Sequence, residues 1–277
     1  MTNLDPSPEL LFGHAAMRMK MCRRGPMLYN IHDTYVGRSF DLYGEYAEDE
    51  MGLLANFVRP GQAVMDIGAN IGAHTIFFAK QVGPEGRVVA FEPQRQVFQT
   101  LCANVTLNGL NNVLTFHAGA ADKTGMATIP VPDYAQDGNF GGISMLGAQN
   151  GEPVQVMMLD QVGFGGLSLI KIDVEGMELA VLMGAAKTIE THKPVLYLEN
   201  DRPDNSQALL SHVLGLGYRV YWHISPLYNA NNAFQNGENV FGGTVSLNVL
   251  CIHADRDQNI QGLKEVADPN EFPNIQG

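Results

Sequence analysis

The chain has 277 residues, 45% of them hydrophobic and 17% charged, with a formal charge of −12. That length holds one well-buried core, or one core with a small addition, and the sign of the charge opposes a nucleic-acid partner. Cys22, Cys102 and Cys251 give neither a disulfide framework nor zinc spacing, no apolar run is long enough to cross a bilayer, and no secretory signal is visible at the start, so a cytoplasmic location is expected.

Residues 1–42 read as an N-terminal extension. To about residue 26 it is a loosely committed leader, whose basic cluster RMKMCRRG (18–25) reads as a solvated surface; one or two short strands are expected over 27–43. GEYAEDEMGLLANFV then reads as a helix with its acids in the first turn, where the dipole favours them, and RPG (59–61) stops it. From there the pattern is regular. AVMDI (63–67), RVVAFEP (87–93) and NVLTFHA (112–118) are predicted strands, separated by helices over 71–82 and 94–107. The second helix carries Val97, Leu101 and Val105 beside Phe98, Cys102 and Thr106, a broad apolar face. Residues 119–167 read as a long loop with a small hairpin at MATIPV. LSLIKIDVEG (167–176) re-enters the core, followed by a helix over MELAVLMGAAKTI, the strand PVLYLEN (194–200), a helix around 205–214 and YRVYWH. After a second polar stretch, TVSLNVLCI (244–252) closes the core, and residues 254–277 are expected to trail away as a polar tail. Strand–helix alternation at this spacing predicts an α/β domain over 43–253, with a mostly parallel sheet covered on both faces.

The stretch VMDIGANIGAHTIFFAK (64–80) is the first dense site. Ligands of open parallel sheets bind at the carboxyl ends of strands. Gly68 and Gly72 allow a tight turn and close backbone approach around Ala69 and Asn70. Glu92 ends the next strand, twenty residues past Gly72, where a carboxylate can grip ribose hydroxyls. Asn70 stands where a dinucleotide fingerprint wants glycine, and Asp66 is expected to face the same corner, repelling phosphate and favouring a cation. A phosphate-free cationic nucleoside, S-adenosyl-L-methionine, fits that charge pattern. The bland alternative is a strand-to-helix turn tightened by glycines and capped by Asp66.

GEYAEDE, VMDIGANIGAHT, VVAFEPQ, IKIDVEGME and LYLEN, in this order over residues 43–252, resemble the FkbM-type methyltransferases, class I S-adenosylmethionine-dependent enzymes. The resemblance implies a Rossmann-like sheet of seven strands, six parallel and the last antiparallel, and methyl transfer, most often to a hydroxyl oxygen. It also implies that Asp66 to Gly72 surround the methionyl portion of the cofactor, that Glu92 holds the ribose, that Gly119, Ala120, Ala121 and Asp122 lie near the adenine, and that Glu45 serves cofactor closure.

LIKIDVEGMELA is the second dense site. Lys171, Asp173 and Glu175 share one strand parity, Ile170, Ile172 and Val174 the other. A lysine inside a central strand needs partners, and Asp66 and Asp173 are the candidates, in a pair that can be purely structural. Glu175 is the first candidate base or acceptor orienter and Asp173 the second, with Lys171 beside them; His74 either joins them or lines the pocket. Glu178 has a sufficient role at a helix dipole. Glu199, Trp222, His223, Asn229 and Asn232 are candidates for the acceptor pocket. Glu199 and Asp201 with Asp173 and Glu175 could also gather a hard metal, but four carboxylates are ordinary in so acidic a chain, and no metal is assigned. The expected acceptor is a small molecule or glycan, with no nucleic acid and no stable membrane insertion; an oligomer is possible but nothing in the sequence indicates one. An NAD-dependent oxidoreductase and a non-catalytic nucleoside-binding protein are the competing readings.

Overall fold

The computed structural model describes residues 9–10, 16–163, 165–256 and 260–274. In chain order its elements are β1 (Glu9–Leu10), β2 (Met17–Cys22), β3 (Gly25–Asn30), α1 (Val36–Tyr43), α2 (Glu48–Leu54), β4 (Ala63–Ile67), α3 (Ala73–Val82), β5 (Arg87–Phe91), α4 (Arg95–Leu107), β6 (Val113–Phe116), β7 (Ala118–Ala120), β8 (Gly125–Ile129), β9 (Glu152–Met157), β10 (Leu169–Ile172), α5 (Glu178–Met183), α6 (Ala186–His192), β11 (Val195–Glu199), α7 (Pro203–Gly215), β12 (Tyr218–Pro226), β13 (Val245–His253) and β14 (Lys264–Glu265).

The main sheet runs β14-β12-β13-β11-β10-β4-β5-β6. β11, β10, β4, β5 and β6 pair in parallel, and β13 is antiparallel to both β11 and β12. The sheet thus has eight strands where seven were expected, with β13 antiparallel to both its neighbours and the short β14 at the edge, antiparallel to β12. Side chains alternate across the sheet. Val64, Leu169, Tyr197 and Leu250 join the core under α2 and α3. Met65, Ile170, Leu198 and Val249 join the core under α5 and α7.

Several expectations change. The supposed leader holds β2, which pairs with β3 as a hairpin against α4. Asn104 fastens that hairpin: fully buried, it accepts from Leu28 N–H (2.7 Å) and donates to the carbonyls of Leu28 (2.9 Å) and Ile71 (2.8 Å). The buried stripe of α4 is Val97, Thr100, Leu101, Asn104 and Val105, while Cys102 is only half-buried. The long loop after β6 contains the three-stranded sheet β7-β9-β8. The single helix expected over 177–189 is broken at Gly184, where a Cβ would stand 2.0 Å from the Ala121 carbonyl oxygen.

The tail does not simply trail away. β14 pairs with β12, Val266 is buried, and Phe272 packs edge-on against Trp222 with centroids 5.6 Å apart. Trp222 is the sole tryptophan. Phe272→Ala is expected to cost about 1–2 kcal/mol and to red-shift the Trp222 emission by wetting the indole. Urea unfolding followed by fluorescence checks both; an unchanged spectrum and midpoint would refute the contact's role.

Candidate functional site

The sequence builds the site at the switch in strand order, where β4 and β10 diverge from each other's helices. The turn after β4 is dictated by close backbone approach. Gly68 (φ +80°) lies so near Asp173 that a Cβ would be 1.7 Å from its carbonyl oxygen, and Asn70 takes a left-handed φ of +51°. Glu92, at the end of β5, locks the turn: one carboxylate oxygen accepts Asn70 N–H (2.9 Å), the other Gln94 N–H (2.8 Å). Burial pushes its carboxyl up to about 7, against the pull of those two amides.

The turn's own N–H groups are committed. Gly68 and Ala69 donate to the Phe91 carbonyl (3.0 and 2.9 Å), Asn70 to Glu92, Ile71 to Asn70 Oδ1 (2.6 Å) and Gly72 to the Ala69 carbonyl (2.9 Å). A phosphate cradle needs such groups free. Above the turn lies a cleft of ≈270 Å³ whose charged lining is six carboxylates (Glu50, Glu92, Asp173, Glu175, Glu199 and Asp201) against one ammonium, that of Lys171.

Gly68, Ala69, Asn70, Glu92, Gly119 and Ala120 line this cleft, as do His74, Lys171, Asp173, Glu175 and Glu199. Asp66 does not. It is fully buried beneath the turn, accepts the Thr75 hydroxyl (2.6 Å) and lies 3.6 Å from Lys171 Nζ, so its charge is answered before it reaches a ligand. Lys171 Nζ also meets Asp173 Oδ2 at 3.1 Å. Burial disfavours the ammonium, but Asp173, Asp66 and Glu50 outweigh it and hold the lysine above its ordinary range. Gly72 is the left-handed cap of α3, packed toward Leu101. His74 Nε2 lies 3.1 Å from Glu50 Oε2 without good hydrogen-bond alignment.

Seven other candidates lie elsewhere. Ala121 packs its carbonyl under Gly184, and Asp122 is exposed. Glu45 is a structural hub: its carboxylate accepts from Arg23 (2.5 Å), Asn229 Nδ2 (2.7 Å) and Ala233 N–H (2.8 Å), tying the N-terminal hairpin to the loop before β13. Asn229 and Asn232 serve the same loop, Asn232 donating to the carbonyls of Asn229 (3.0 Å) and Asn236 (2.7 Å). Trp222 points into the core beside Val220 and Phe272. His223 shares the opposite parity, bonded to the Tyr197 hydroxyl (2.8 Å) and 3.1 Å from Asp49.

The chain matches the Methyltransferase FkbM domain over residues 66–220. The chain belongs to the FkbM methyltransferase domain family. It is 24% identical over 160 residues to the hexuronic acid methyltransferase AglP of Haloferax volcanii, covering 56% of this chain and 62% of that one. It is 29% identical over 182 residues to the AMB antimetabolite synthetase AmbE of Pseudomonas aeruginosa, covering 52% and 8%. The aligned part is thus less than two thirds of either relative. Among solved structures, methyltransferase FkbM from Methylobacillus flagellatus is 20% identical with a TM-score of 0.44, covering 73% of this chain and 50% of that one.

At the FkbM-domain cleft, the exits of β10 and β11 carry an acid cluster. Ile172 stands beside Leu198, so Asp173 and Glu199 leave neighbouring strands together. Asp173, Glu175 and Glu199 offer oxygens within 4.8 Å of one another. Such spacing could bridge a hard cation, but Lys171 already compensates Asp173 and Arg202 compensates Glu175 at 2.5 Å, so the cluster is not assigned as a metal site. Glu175 sits at φ +60° before Gly176 at +95°, and Glu178 holds that turn by accepting the N–H groups of Val174 (3.2 Å) and Gly176 (3.0 Å). Burial, then Asp173, lifts the Glu175 carboxyl to about 7 despite Arg202.

Sequence reasoning missed the residues that cover the cleft. Tyr35, Tyr46, Asn139, Ile143 and Met145 line it. Met145 packs so closely over Gly119 that a Cβ there would be 2.4 Å from its methyl carbon. The covering segment is tied down by Gln94 Nε2 to the Phe140 carbonyl (2.7 Å) and by the Ser144 hydroxyl to the Glu175 carbonyl (2.7 Å). Nothing periodic marks residues 138–145; the glycines at 138, 141 and 142 were the available signal.

Proposed function

We propose that this protein is an S-adenosylmethionine-dependent methyltransferase whose acceptor is a hydroxyl oxygen of a small molecule or glycan. The carrying observation is the combination at one strand end of a self-satisfied glycine turn, a buried Glu92 and a carboxylate-lined cleft. A cation without phosphate suits that lining, and a pyrophosphate would meet acids and no free turn amides. This is also the argument against the NAD reading. The donor fits the residues present: Glu92 would take the ribose hydroxyls, Gly119 and Ala120 under Met145 the adenine, and the turn at Gly68 to Asn70 the amino-acid end. When bound, S-adenosylmethionine supplies an electrophilic methyl group.

The chain's own residues then do three things. Glu92 fixes the turn and the ribose together. Lys171, held between Asp66 and Asp173, keeps the ends of β4 and β10 in register while leaving Asp173 at the cleft. Glu175, fastened to Arg202, orients the acceptor. Proximity of the two bound reactants supplies much of the rate. The hexuronic acid named for the Haloferax relative supports a glycan acceptor. The acids at the mouth favour a neutral or amino-bearing sugar over a uronate here, and with the net charge they weigh against nucleic acid.

Calorimetry with S-adenosylhomocysteine and with NADH tests the reading: binding of the first and not the second is expected, and NADH binding alone would end it. Glu92→Gln is expected to weaken S-adenosylhomocysteine binding roughly 10- to 100-fold, because a charged acceptor is lost and an amide N–H₂ is set against a backbone donor. An affinity within twofold of the parent chain would remove Glu92 from the donor site.

A further inference from the structure

Three carboxylates meet at the acceptor side of the cleft, and their partners differ. Asp173 has Lys171 at 3.1 Å, and Glu175 has Arg202 at 2.5 Å. Glu199 has neither: its carboxylate forms no ion pair or hydrogen bond among the described residues, and its Oε2 is shut off from solvent. It nevertheless lines the cleft, on the last residue of β11, with Asp173 at its side and a ligand-type oxygen within 4.8 Å of theirs. A half-buried carboxylate with one oxygen shut off from solvent and no partner is costly as an anion, so the fold is expected to keep it only where a proton or a cation answers it.

We propose that Glu199 is the catalytic residue that takes the proton of the acceptor hydroxyl during methyl transfer. The inference rests on the methyltransferase reading and assigns a role within it. As the acceptor oxygen bonds to the methyl carbon, the carbon–sulfur bond breaks with its electron pair going to sulfur, and the hydroxyl proton passes to the Glu199 carboxylate; sulfonium and carboxylate become neutral sulfide and carboxylic acid. The paired acids are poorer choices. A guanidinium on Glu175 and an ammonium on Asp173 already occupy the lone pairs and charge a proton would need.

Glu199 must be ionised at that moment, and its surroundings say when. Asp173, Glu175 and Glu178 face it from the turn after β10, Asp201 from its own strand exit, and Tyr46 from the N-terminal side, with Arg202 the nearby cation. Burial, then these acids, hold the carboxyl above the ordinary carboxylate range, so the empty site favours the protonated form more than an exposed glutamate does. A sulfonium entering the cleft opposes that proton; the neutral sulfide of the product does not. Donor binding thus arms the base.

The test is calorimetry near pH 7 in buffers of differing ionisation enthalpy. The parent chain is expected to release more protons on binding S-adenosylmethionine than on binding S-adenosylhomocysteine. Glu199→Gln should show a smaller difference between the two ligands, since Glu175 and Glu92, both lifted to about 7, still line the cleft. On a hydroxyl acceptor, the same variant should lose roughly 100- to 10,000-fold in kcat with KM little changed. Equal release by parent and variant, or turnover within twofold, overturns the assignment and leaves the methyltransferase reading intact. If neither ligand binds the parent chain, both fall. Should the glutamine variant not fold, Glu199→Asp keeps the proton acceptor, and it must retain the differential release for the assignment to stand.

Discussion

Gly68→Ala is expected to unfold the sheet's centre or abolish donor binding outright. The added Cβ would lie 1.7 Å from the Asp173 carbonyl oxygen and 2.8 Å from its carbon. These are backbone atoms, and they cannot swing aside. Asp173 N–H donates to the Ile67 carbonyl at 3.0 Å, and Ile172 is registered beside Ile67, so the sheet ladder sets the approach of the two strands. The only relief is to part β4 from β10. That separation would draw Lys171 away from Asp66, leaving a fully buried carboxylate without its charge partner. Roughly 3–5 kcal/mol of stability should be lost, with no measurable S-adenosylhomocysteine binding. Gly61→Ala is the control, since φ there is +82° but nothing stands within 4 Å of its Cβ. It carries the conformational penalty alone, about 1–2 kcal/mol. Equal losses in the two variants would show that steric approach at Gly68 does not matter.

The same strand junction shows what was legible in the sequence. The turn was readable because glycine tolerates both a left-handed φ and a close neighbour, and because apolar strands and helices carry their own periods. Lys171 and its two partners followed from parity and from the penalty on a lone buried charge. Asp66 was misread for want of that parity argument on its own strand. Val64 and Asp66 share one face and Met65 and Ile67 the other, so Asp66 had to point under α3, toward Thr75 and Lys171. Parity also separates Trp222, with Val220, from His223, with Tyr221. The Glu45–Arg23–Asn229 hub and the Met145 cover could not be read this way. They join segments far apart in sequence, and no local propensity or spacing records a contact across 184 residues.

A neutral site should be more stable than an ionised one, while the ionised one binds better. Glu92 and Glu175 are both lifted from 4.5 to about 7, chiefly by burial. Each folded-state carboxyl therefore holds its proton more tightly than in the unfolded chain. The stability this gives is fully present below pH 4.5 and is lost as pH rises toward 7. At 1.36 kcal/mol per pH unit of difference, each carboxylate contributes up to about 3 kcal/mol to the fall. Urea titrations at pH 5 and pH 8 should show unfolding free energy decreasing by several kcal/mol, a window in which ordinary carboxylates are already ionised. Glu92→Gln removes one titrating group and should flatten the slope by its share. Affinity for S-adenosylhomocysteine is expected to move the other way, rising through pH 7 as Glu92 becomes the charged acceptor that ribose hydroxyls prefer. The two trends share one cause, the withdrawal of these carboxylates from water. Stability that is flat or rising between pH 5 and 8 would mean that the cleft is wetter, or its acids better paired, than their burial implies.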